Sequence, residues 1–243
     1  MTRRQRVDRL LVERGLFESR ARAQAAIAAG RVSADGVPVR KPSEEISAAA
    51  AIEAAPEHPF VSRGGIKLAT ALDHFRLDVG DRICLDVGAS TGGFSEVLLG
   101  RRAQRVYAVD VGRSQLHPRL RGLDRLISFD KTDIRALSRA HLPEQPDFAT
   151  VDVSFISLKL VLPPVGRLLK QRATLLALIK PQFEARRRDH KKGVVHDAAV
   201  HAAICDDLAA FLSSLGWRIG GIMASPILGG EGNREFFIGA ERG

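Results

Sequence analysis

The feature that most constrains the fold is a glycine-rich loop, Asp86-Val-Gly-Ala-Ser-Thr-Gly-Gly-Phe94. An apolar run, Ile83–Val87, leads into the loop, and a helical pattern over residues 94–99 follows it. A strand, a glycine turn and a helix in this order form the first unit of a nucleotide-binding α/β sheet. We therefore expect an α/β fold with a mostly parallel, Rossmann-like sheet and helices on both faces.

The glycine spacing indicates which ligand the loop would accept. The glycines stand at positions 88, 92 and 93, which differs from the G-x-G-x-x-G of dinucleotide enzymes and disfavours a nicotinamide oxidoreductase. An acid before such a turn suits a cofactor with a cationic amino-acid tail, and S-adenosylmethionine is the candidate. A glycine turn without a ligand is the alternative. The candidate cofactor-binding residues of the loop are Asp86, Gly88, Ala89, Ser90, Thr91, Gly92, Gly93 and Phe94.

Polar side chains stand at the ends of further apolar runs. Asp110 closes the run that begins at residue 105 and suits the hydroxyls of a ribose, although it could be a plain surface acid. Asp133, after the next run, suits an adenine amine or a helix cap. Asp152 and Lys180 end two more apolar runs. Because ligands bind at the carboxyl ends of strands in open α/β sheets, these groups should converge on one edge.

The lysine at position 180 has two interpretations. A lysine that closes an apolar strand either reaches out to solvent or is held for chemistry. An enzyme that uses S-adenosylmethionine transfers a methyl group, and one possible acceptor is a ribose 2′-hydroxyl. Methylation of that hydroxyl requires removal of its proton, which a lysine near a second cation can accept. Lys67 offers that cation, and Asp152 and Glu235 offer carboxylates to orient the two lysines. Glu235 could instead be an ordinary acid before the last strand.

The positive charge is concentrated near the start of the chain. The net charge is +9, and residues 1–42 hold ten Lys/Arg against four Asp/Glu. A concentrated basic module points to a polyanion such as nucleic acid, with a solubilising surface as the alternative. The chain shows no apolar run of the roughly 20 residues that span a bilayer and no secretion signal. Two cysteines, Cys84 and Cys205, favour a reduced cytoplasmic protein without a disulfide or a metal site.

The residue pattern of the basic module predicts a small α+β domain. A first helix should run from Val7 to near Gly15, a second from the cap Ser19 to Ala29, and a hairpin should turn on Asp35-Gly36. We predict an RNA-binding domain over residues 1–55, a linker over 56–61 and a catalytic domain over 62–243. A second basic stretch, residues 186–192, is either an RNA-gripping loop or a solvated charge run. The candidate RNA-binding residues are Arg9, Arg14, Arg20, Arg22, Arg31, Lys41, Arg63, Arg186, Arg187, Arg188, Lys191 and Lys192.

Two resemblances connect these motifs. Residues 6–52 resemble the RNA-binding domain of ribosomal protein S-four, which implies structured RNA as the partner. The motifs at residues 62–68, 86–94, 152–158, 180–184 and 233–236, in this order, resemble the TlyA/hemolysin A family of rRNA 2′-O-methyltransferases with an FtsJ-like, class I catalytic domain. The resemblance implies a seven-stranded sheet in the catalytic domain and a catalytic tetrad of Lys67, Asp152, Lys180 and Glu235. It also implies a cytidine ribose in small-subunit rRNA, large-subunit rRNA or both as the substrate. We expect the RNA to be folded within a ribosomal subunit, because a module that reads shape needs a folded RNA, and the sequence indicates no obligate protein partner.

Two other classes of function stay open at this point. The chain could be a non-catalytic rRNA-binding assembly factor with a vestigial cofactor fold, although both lysines of the tetrad are present. It could also be a pore-forming hemolysin, which the absence of a basic amphipathic membrane helix disfavours. The sequence leaves the modified nucleotide, the ribosomal subunit and the oligomeric state undetermined.

Overall fold

The computed structural model describes residues 4–186, 189 and 193–243, and the chain divides into two units, Met1–Pro59 and Phe60–Gly243. The finer bounds expected for the two domains and the linker stay a prediction. The elements of the first unit are β1 (Arg4–Arg6), α1 (Val7–Glu13), α2 (Arg20–Ala28), β2 (Val32–Ala34), β3 (Val37–Pro38), β4 (Glu45–Ser47) and β5 (Ile52–Ala54).

The first unit follows its local sequence signals. Ser19 caps α2 by accepting a hydrogen bond from the backbone N–H of Arg22 at 3.3 Å. Strands β2 and β3 form the predicted hairpin, and its two turn residues, Asp35 and Gly36, both have positive φ, as a two-residue type I′ turn requires. Strand β5 extends this hairpin to three strands, while β1 pairs with β4. The apolar faces of α1 and α2 close a small core over the strands.

The second unit contains a seven-stranded sheet in the order β11-β12-β10-β9-β6-β7-β8. The strands from β10 to β8 are parallel to their neighbours, and β12 runs antiparallel to β10 and β11. This confirms the mostly parallel, seven-stranded sheet. The elements are α3 (Gly64–His74), β6 (Ile83–Val87), α4 (Gly93–Gly100), β7 (Arg105–Val109), β8 (Leu126–Phe129), β9 (Phe148–Val151), α5 (Leu158–Leu168), β10 (Ala173–Ile179), α6 (Pro181–Glu184), α7 (Ala198–Ser214), β11 (Arg218–Ala224) and β12 (Phe236–Arg242).

Helices cover both faces of this sheet. One core forms between the sheet and helices α5 and α7, and a second forms between the sheet and helices α3 and α4. Alternate residues of one strand serve the two cores: Leu85 packs into the first and Cys84 into the second. Both cysteines are buried and free, and burial raises the pKa of both thiols, that of Cys205 to about 11, which disfavours the reactive thiolate at either position. Among the described residues no helix combines the length and apolar character that a membrane span requires.

Candidate active site

The glycine loop joins β6 to α4 at the carboxyl edge of the sheet. Gly88 has φ +83°, and a Cβ at this position would lie 2.1 Å from the carbonyl oxygen of Asp152 at the end of the neighbouring strand. Only glycine allows this approach of the two strand ends. Gly92, also with positive φ, stands at the N-cap of α4. The loop backbone therefore forms an open turn directly above the ends of β6 and β9.

Asp86 lies behind the loop rather than in front of it. Its carboxylate is fully buried and accepts hydrogen bonds from the hydroxyls of Ser95 at 2.6 Å and Thr150 at 3.0 Å. Burial raises the pKa of Asp86 to about 6, although both hydroxyls favour the charged form. The carboxylate thus ties β6 to α4 and β9, and it lines neither of the two clefts described next.

A cleft of about 490 Å³ opens beside the loop at the ends of β6, β7 and β9. Asp110 lines it, and its carboxylate accepts from the backbone N–H groups of Ser90 at 2.8 Å and Gly112 at 2.7 Å. Asp133 also lines it, and hydrogen bonding from the Arg135 guanidinium lowers the pKa of that carboxyl group. Of the predicted cofactor-binding residues, those that line this cleft are Gly88, Ser90, Asp110, Asp133 and Asp152.

A second cleft, of about 220 Å³, lies on the other side of the loop. Lys67 on α3 and Asp152 after β9 reach it from opposite elements. Leu228 and Gly229, from the turn before β12, form a further part of its wall. The predicted cofactor-binding residues that line this second cleft are Gly88, Ala89, Ser90, Thr91, Gly93, Phe94 and Asp152.

Two lysine–carboxylate pairs stand at these clefts. The Nζ of Lys180 lies 2.6 Å from Asp152 Oδ1 and donates a hydrogen bond to Ser154 Oγ at 2.9 Å. The Nζ of Lys67 lies 2.5 Å from Glu235 Oε2, and both side chains are nearly buried. The structure thus brings Lys67 and Asp152 to one cleft, with a partner of opposite charge behind each.

The backbone around Glu235 is closely fitted to its carboxylate. A Cβ at Gly229 would lie 2.0 Å from Glu235 Oε1, so the turn before β12 packs directly against this side chain. Arg63, a predicted RNA-binding residue, donates to the carbonyl of Leu228 in the same turn at 2.8 Å. Arg63 therefore helps to hold the wall of the second cleft.

Sequence reasoning missed three residues next to the Lys180–Asp152 pair. Ser154 hydrogen-bonds Lys180; Phe155 is 91% exposed with φ +64°; and Glu184 binds the start of α5. The motifs at residues 152–158 and 180–184 contain all three. Nothing in an Asp-Val-Ser-Phe string indicates, however, that its phenylalanine would face solvent rather than the core.

The predicted RNA-binding cations fall into different environments. The guanidinium of Arg14 donates to the carbonyls of Ala48 and Ala50, and that of Arg20 pairs with the buried carboxylate of Asp8. Hydrogen bonding from Arg6, and then from Arg20, holds the pKa of Asp8 well below its usual range. Arg14 and Arg20 are therefore committed to the first unit's own structure.

Other predicted RNA contacts remain at the surface. Arg9, Arg31, Lys41 and Arg186 are exposed. Arg22 lies in the first turn of α2, where its backbone N–H binds the cap. Four predicted contacts lie outside the described residues: Arg187, Arg188, Lys191 and Lys192.

A third cleft of the second unit lies away from the glycine loop. It measures about 600 Å³ and lies at the opposite edge of the sheet, where Asp147 precedes β9 and Ala173 begins β10. It contains none of the predicted site residues. In open α/β sheets ligands bind at the carboxyl edge, so the two smaller clefts are the better candidates despite their size.

The chain is similar to known proteins over both units. Residues 60–242 match the family model described as FtsJ-like methyltransferase, and residues 5–52 match the S4 domain. The "16S/23S rRNA (cytidine-2'-O)-methyltransferase TlyA" of Mycobacterium tuberculosis is 42% identical, with 98% of this chain and 90% of the relative covered. "Hemolysin A" of Brachyspira hyodysenteriae is 36% identical, with 95% of this chain and 97% of the relative covered.

Solved structures support the same fold. The structure named "Putative hemolysin from Streptococcus thermophilus" is 40% identical, with a TM-score of 0.78, and covers all of this chain and 90% of the other. Magnesium protoporphyrin IX methyltransferase of Synechocystis, solved with bound SAM, is 15% identical with a TM-score of 0.51 and covers 74% of this chain and 80% of the other. At that identity the second similarity concerns the fold alone.

Proposed function

The chain belongs to the FtsJ-like methyltransferase family, and we propose that it transfers a methyl group from S-adenosylmethionine to the 2′-hydroxyl of a cytidine ribose in ribosomal RNA. The relatives named TlyA carry this activity in their names. The observation that carries the proposal is the presence of two lysine–carboxylate pairs, Lys67–Glu235 and Lys180–Asp152, beside the glycine loop. Such pairs suit the removal of a proton from a hydroxyl group.

The residues of the first cleft fit S-adenosylmethionine. Its volume of about 490 Å³ lies in the range of small-molecule sites. Each oxygen of Asp110 accepts one backbone N–H, and each keeps a lone pair for a ribose hydroxyl. Asp133 would face the adenine amine, and the open turn at Gly88 would admit the amino-acid tail. When bound, S-adenosylmethionine supplies an electrophilic methyl group on a sulfonium.

We assign the proton chemistry to the second cleft and its neighbours. Lys180, held by Asp152 and Ser154 and acting as the neutral amine, would accept the proton of the 2′-hydroxyl as that oxygen becomes the nucleophile, which leaves Lys180 as an ammonium beside the Asp152 carboxylate. Lys67, held by Glu235, would orient the hydroxyl and balance the charge. Because both amines are fixed by hydrogen bonds, little orientational freedom remains to be lost at the moment of reaction.

The first unit would bring the RNA to this site. An S4 domain with exposed cations such as Arg9 and Lys41 suits the phosphate backbone of a folded RNA. We propose ribosomal RNA within a ribosomal subunit as the substrate, because a domain that reads shape needs a folded RNA. That substrate would place the reaction in the cytoplasm.

The test is methyl transfer from labelled S-adenosylmethionine to separated ribosomal subunits that lack the modification. The product is digested and its nucleosides are identified by mass spectrometry. We expect 2′-O-methylcytidine, and we expect Lys180→Ala to lower kcat by about a hundredfold or more, the usual contribution of a general base. Binding of S-adenosylmethionine to this variant should be unchanged.

The chain offers a matched control for that variant. Lys170 pairs with Asp147 at 3.1 Å at the opposite edge of the same sheet, so Lys170→Ala removes a comparable ion pair away from the clefts. We expect Lys170→Ala to retain full activity. Absence of transfer to either subunit, or equal activity of wild type and Lys180→Ala, would contradict the proposal.

A further inference from the structure

Two segments at the carboxyl edge of the sheet are braced against each other. One, residues 152–158, follows β9, and the other, residues 180–184, follows the parallel neighbour β10. The Nζ of Lys180 binds Asp152 and Ser154 near the strand ends. Further out, the rings of Phe155 and Phe183 lie with their centroids 5.0 Å apart. The third brace is Glu184, which the proposed chemistry leaves without a role.

The segment after β9 is strained. Phe155 has φ +64°, a conformation that is strained for an aromatic residue and persists only where surrounding contacts enforce it. The side chain is 91% exposed, so burial in the core does not enforce it. The enforcing contacts must therefore act on the residues to either side of Phe155.

Glu184 supplies the contact on the far side. Its Oε2 accepts from the hydroxyl of Ser157 at 2.6 Å, and its Oε1 accepts from the backbone N–H of Leu158 at 2.7 Å. Ser157 is also the N-cap of α5, where its hydroxyl oxygen accepts from the backbone N–H of Lys159 at 3.2 Å. One carboxylate thus fixes the first turn of α5 to the short helix α6, which begins immediately after Lys180.

We propose that Glu184 is a positioning residue for Lys180. By holding Ser157 and Leu158, it keeps the strained segment in the one conformation that presents Asp152 and Ser154 to the Lys180 amine. Without it, the segment can relax at Phe155, and Ser154 moves away from an amine that sits on a flexible four-carbon chain. The inference rests on the proposed function, since it treats Lys180 as the base of that reaction.

The test compares Glu184→Gln with Asp147→Asn. Asp147 lies at the opposite end of β9, where it pairs with Arg82 and Lys170. Asp147→Asn therefore also removes a partly buried carboxylate, but one that lies away from the proposed site. We expect Glu184→Gln to lower kcat at saturating S-adenosylmethionine about tenfold to hundredfold, as a displacement near 1 Å does. The KM for S-adenosylmethionine should rise as well, because residues 152–156 line the first cleft. Asp147→Asn should change neither value.

A second measurement does not depend on whether ribosomal RNA is the substrate. Amide hydrogen exchange over residues 153–158 should speed up in Glu184→Gln and stay at the wild-type rate in Asp147→Asn. Unchanged exchange in Glu184→Gln would overturn the inference. Faster exchange with no methyl transfer by the wild type would count against the proposed function alone.

A double-mutant cycle separates positioning from general destabilisation. Ser154→Ala removes the hydrogen bond through which Glu184 is proposed to act. The loss of kcat in the double variant should therefore be smaller than the product of the losses in Ser154→Ala and Glu184→Gln. Multiplicative effects would overturn the inference. If Glu184→Gln does not fold, Ser157→Ala removes one of the two bonds and takes its place in both the kinetic and exchange measurements.

Discussion

Asp86 is enclosed on all sides, and its carboxylate links pH to the stability of the second unit. Burial raises its pKa to about 6 in the folded protein, whereas an aspartate in an unfolded chain titrates near pH 3.9. Between these two values the folded state binds more protons than the unfolded state. The contribution of Asp86 to the free energy of unfolding therefore falls as the pH rises from about 4 to about 6.

We expect this dependence to disappear in Asp86→Asn. With these two pKa values, the unfolding free energy of wild type should fall by about 2 kcal/mol relative to Asp86→Asn between pH 4 and pH 7. Urea unfolding of both proteins at several pH values measures the difference, and the subtraction removes the contribution of other groups. A difference that is constant with pH would contradict the assignment.

The surroundings of Asp86 also show what sequence patterns miss at this scale. An acid next to a glycine loop was expected to face the ligand, and its position at the end of β6 is as predicted. Its partner Thr150 is 64 positions away on β9 and is supplied by the pairing of two strands. A local pattern cannot reveal such a partner, and the same holds for Arg14, whose carbonyl partners lie 34 and 36 residues away.

Whole strands are easier to predict where burial on both faces requires a continuous run of apolar residues. Strands β6, β7, β9 and β10 are buried almost throughout and form continuous apolar runs in the sequence, so the end of each is predicted within one residue of its observed position. The three-residue strands β4 and β5 lie in a polar and alanine-rich stretch and gave no such signal. Their formation depends on pairing with β1 and β2.

Phe155, in the segment between β9 and α5, combines a strained backbone with an exposed aromatic ring. Its replacement by glycine should therefore raise the stability of the protein but weaken its binding of RNA. Phe155→Gly removes the positive-φ strain and should raise the unfolding free energy by about 1 kcal/mol. Phe155→Ala keeps the strain and should not. Both variants lose a ring that can stack on a base, worth about 1–3 kcal/mol, so both should weaken RNA binding about tenfold or more.

Thermal unfolding and titration with an rRNA fragment separate these two effects. Because Phe155 also lines the first cleft, binding of S-adenosylmethionine is measured in each variant, and the RNA titrations are done without the cofactor. Equal stability of the glycine and alanine variants would show that position 155 stores no strain. RNA affinity at the wild-type level in both would remove the ring from the RNA-binding surface.

For the molecule as a whole, the net charge of +9 predicts RNA binding, but the structure divides the cations into two groups. Arg14 and Arg20 bind acceptors within the first unit. Arg9, Arg31 and Lys41 are exposed, and their side chains bond to none of the described residues. Counting charges in the sequence gives the sign of the partner, whereas the hydrogen bonds determine which cations are available to it.

This division predicts different salt dependence for the two groups. Each exposed cation that neutralises a phosphate releases counterions, so Arg9→Ala or Lys41→Ala should weaken RNA binding and reduce the slope of log K against log[salt] by about 1. Arg14→Ala should instead lower the thermal stability of the first unit, because it leaves two backbone carbonyls without their donor. Its slope of log K against log[salt] should stay close to that of wild type. Titrations of the full chain with an rRNA fragment at several salt concentrations, below the unfolding temperature of each variant, test both expectations. A slope that falls equally in Arg14→Ala and Arg9→Ala would mean that Arg14 leaves its carbonyl acceptors to bind RNA.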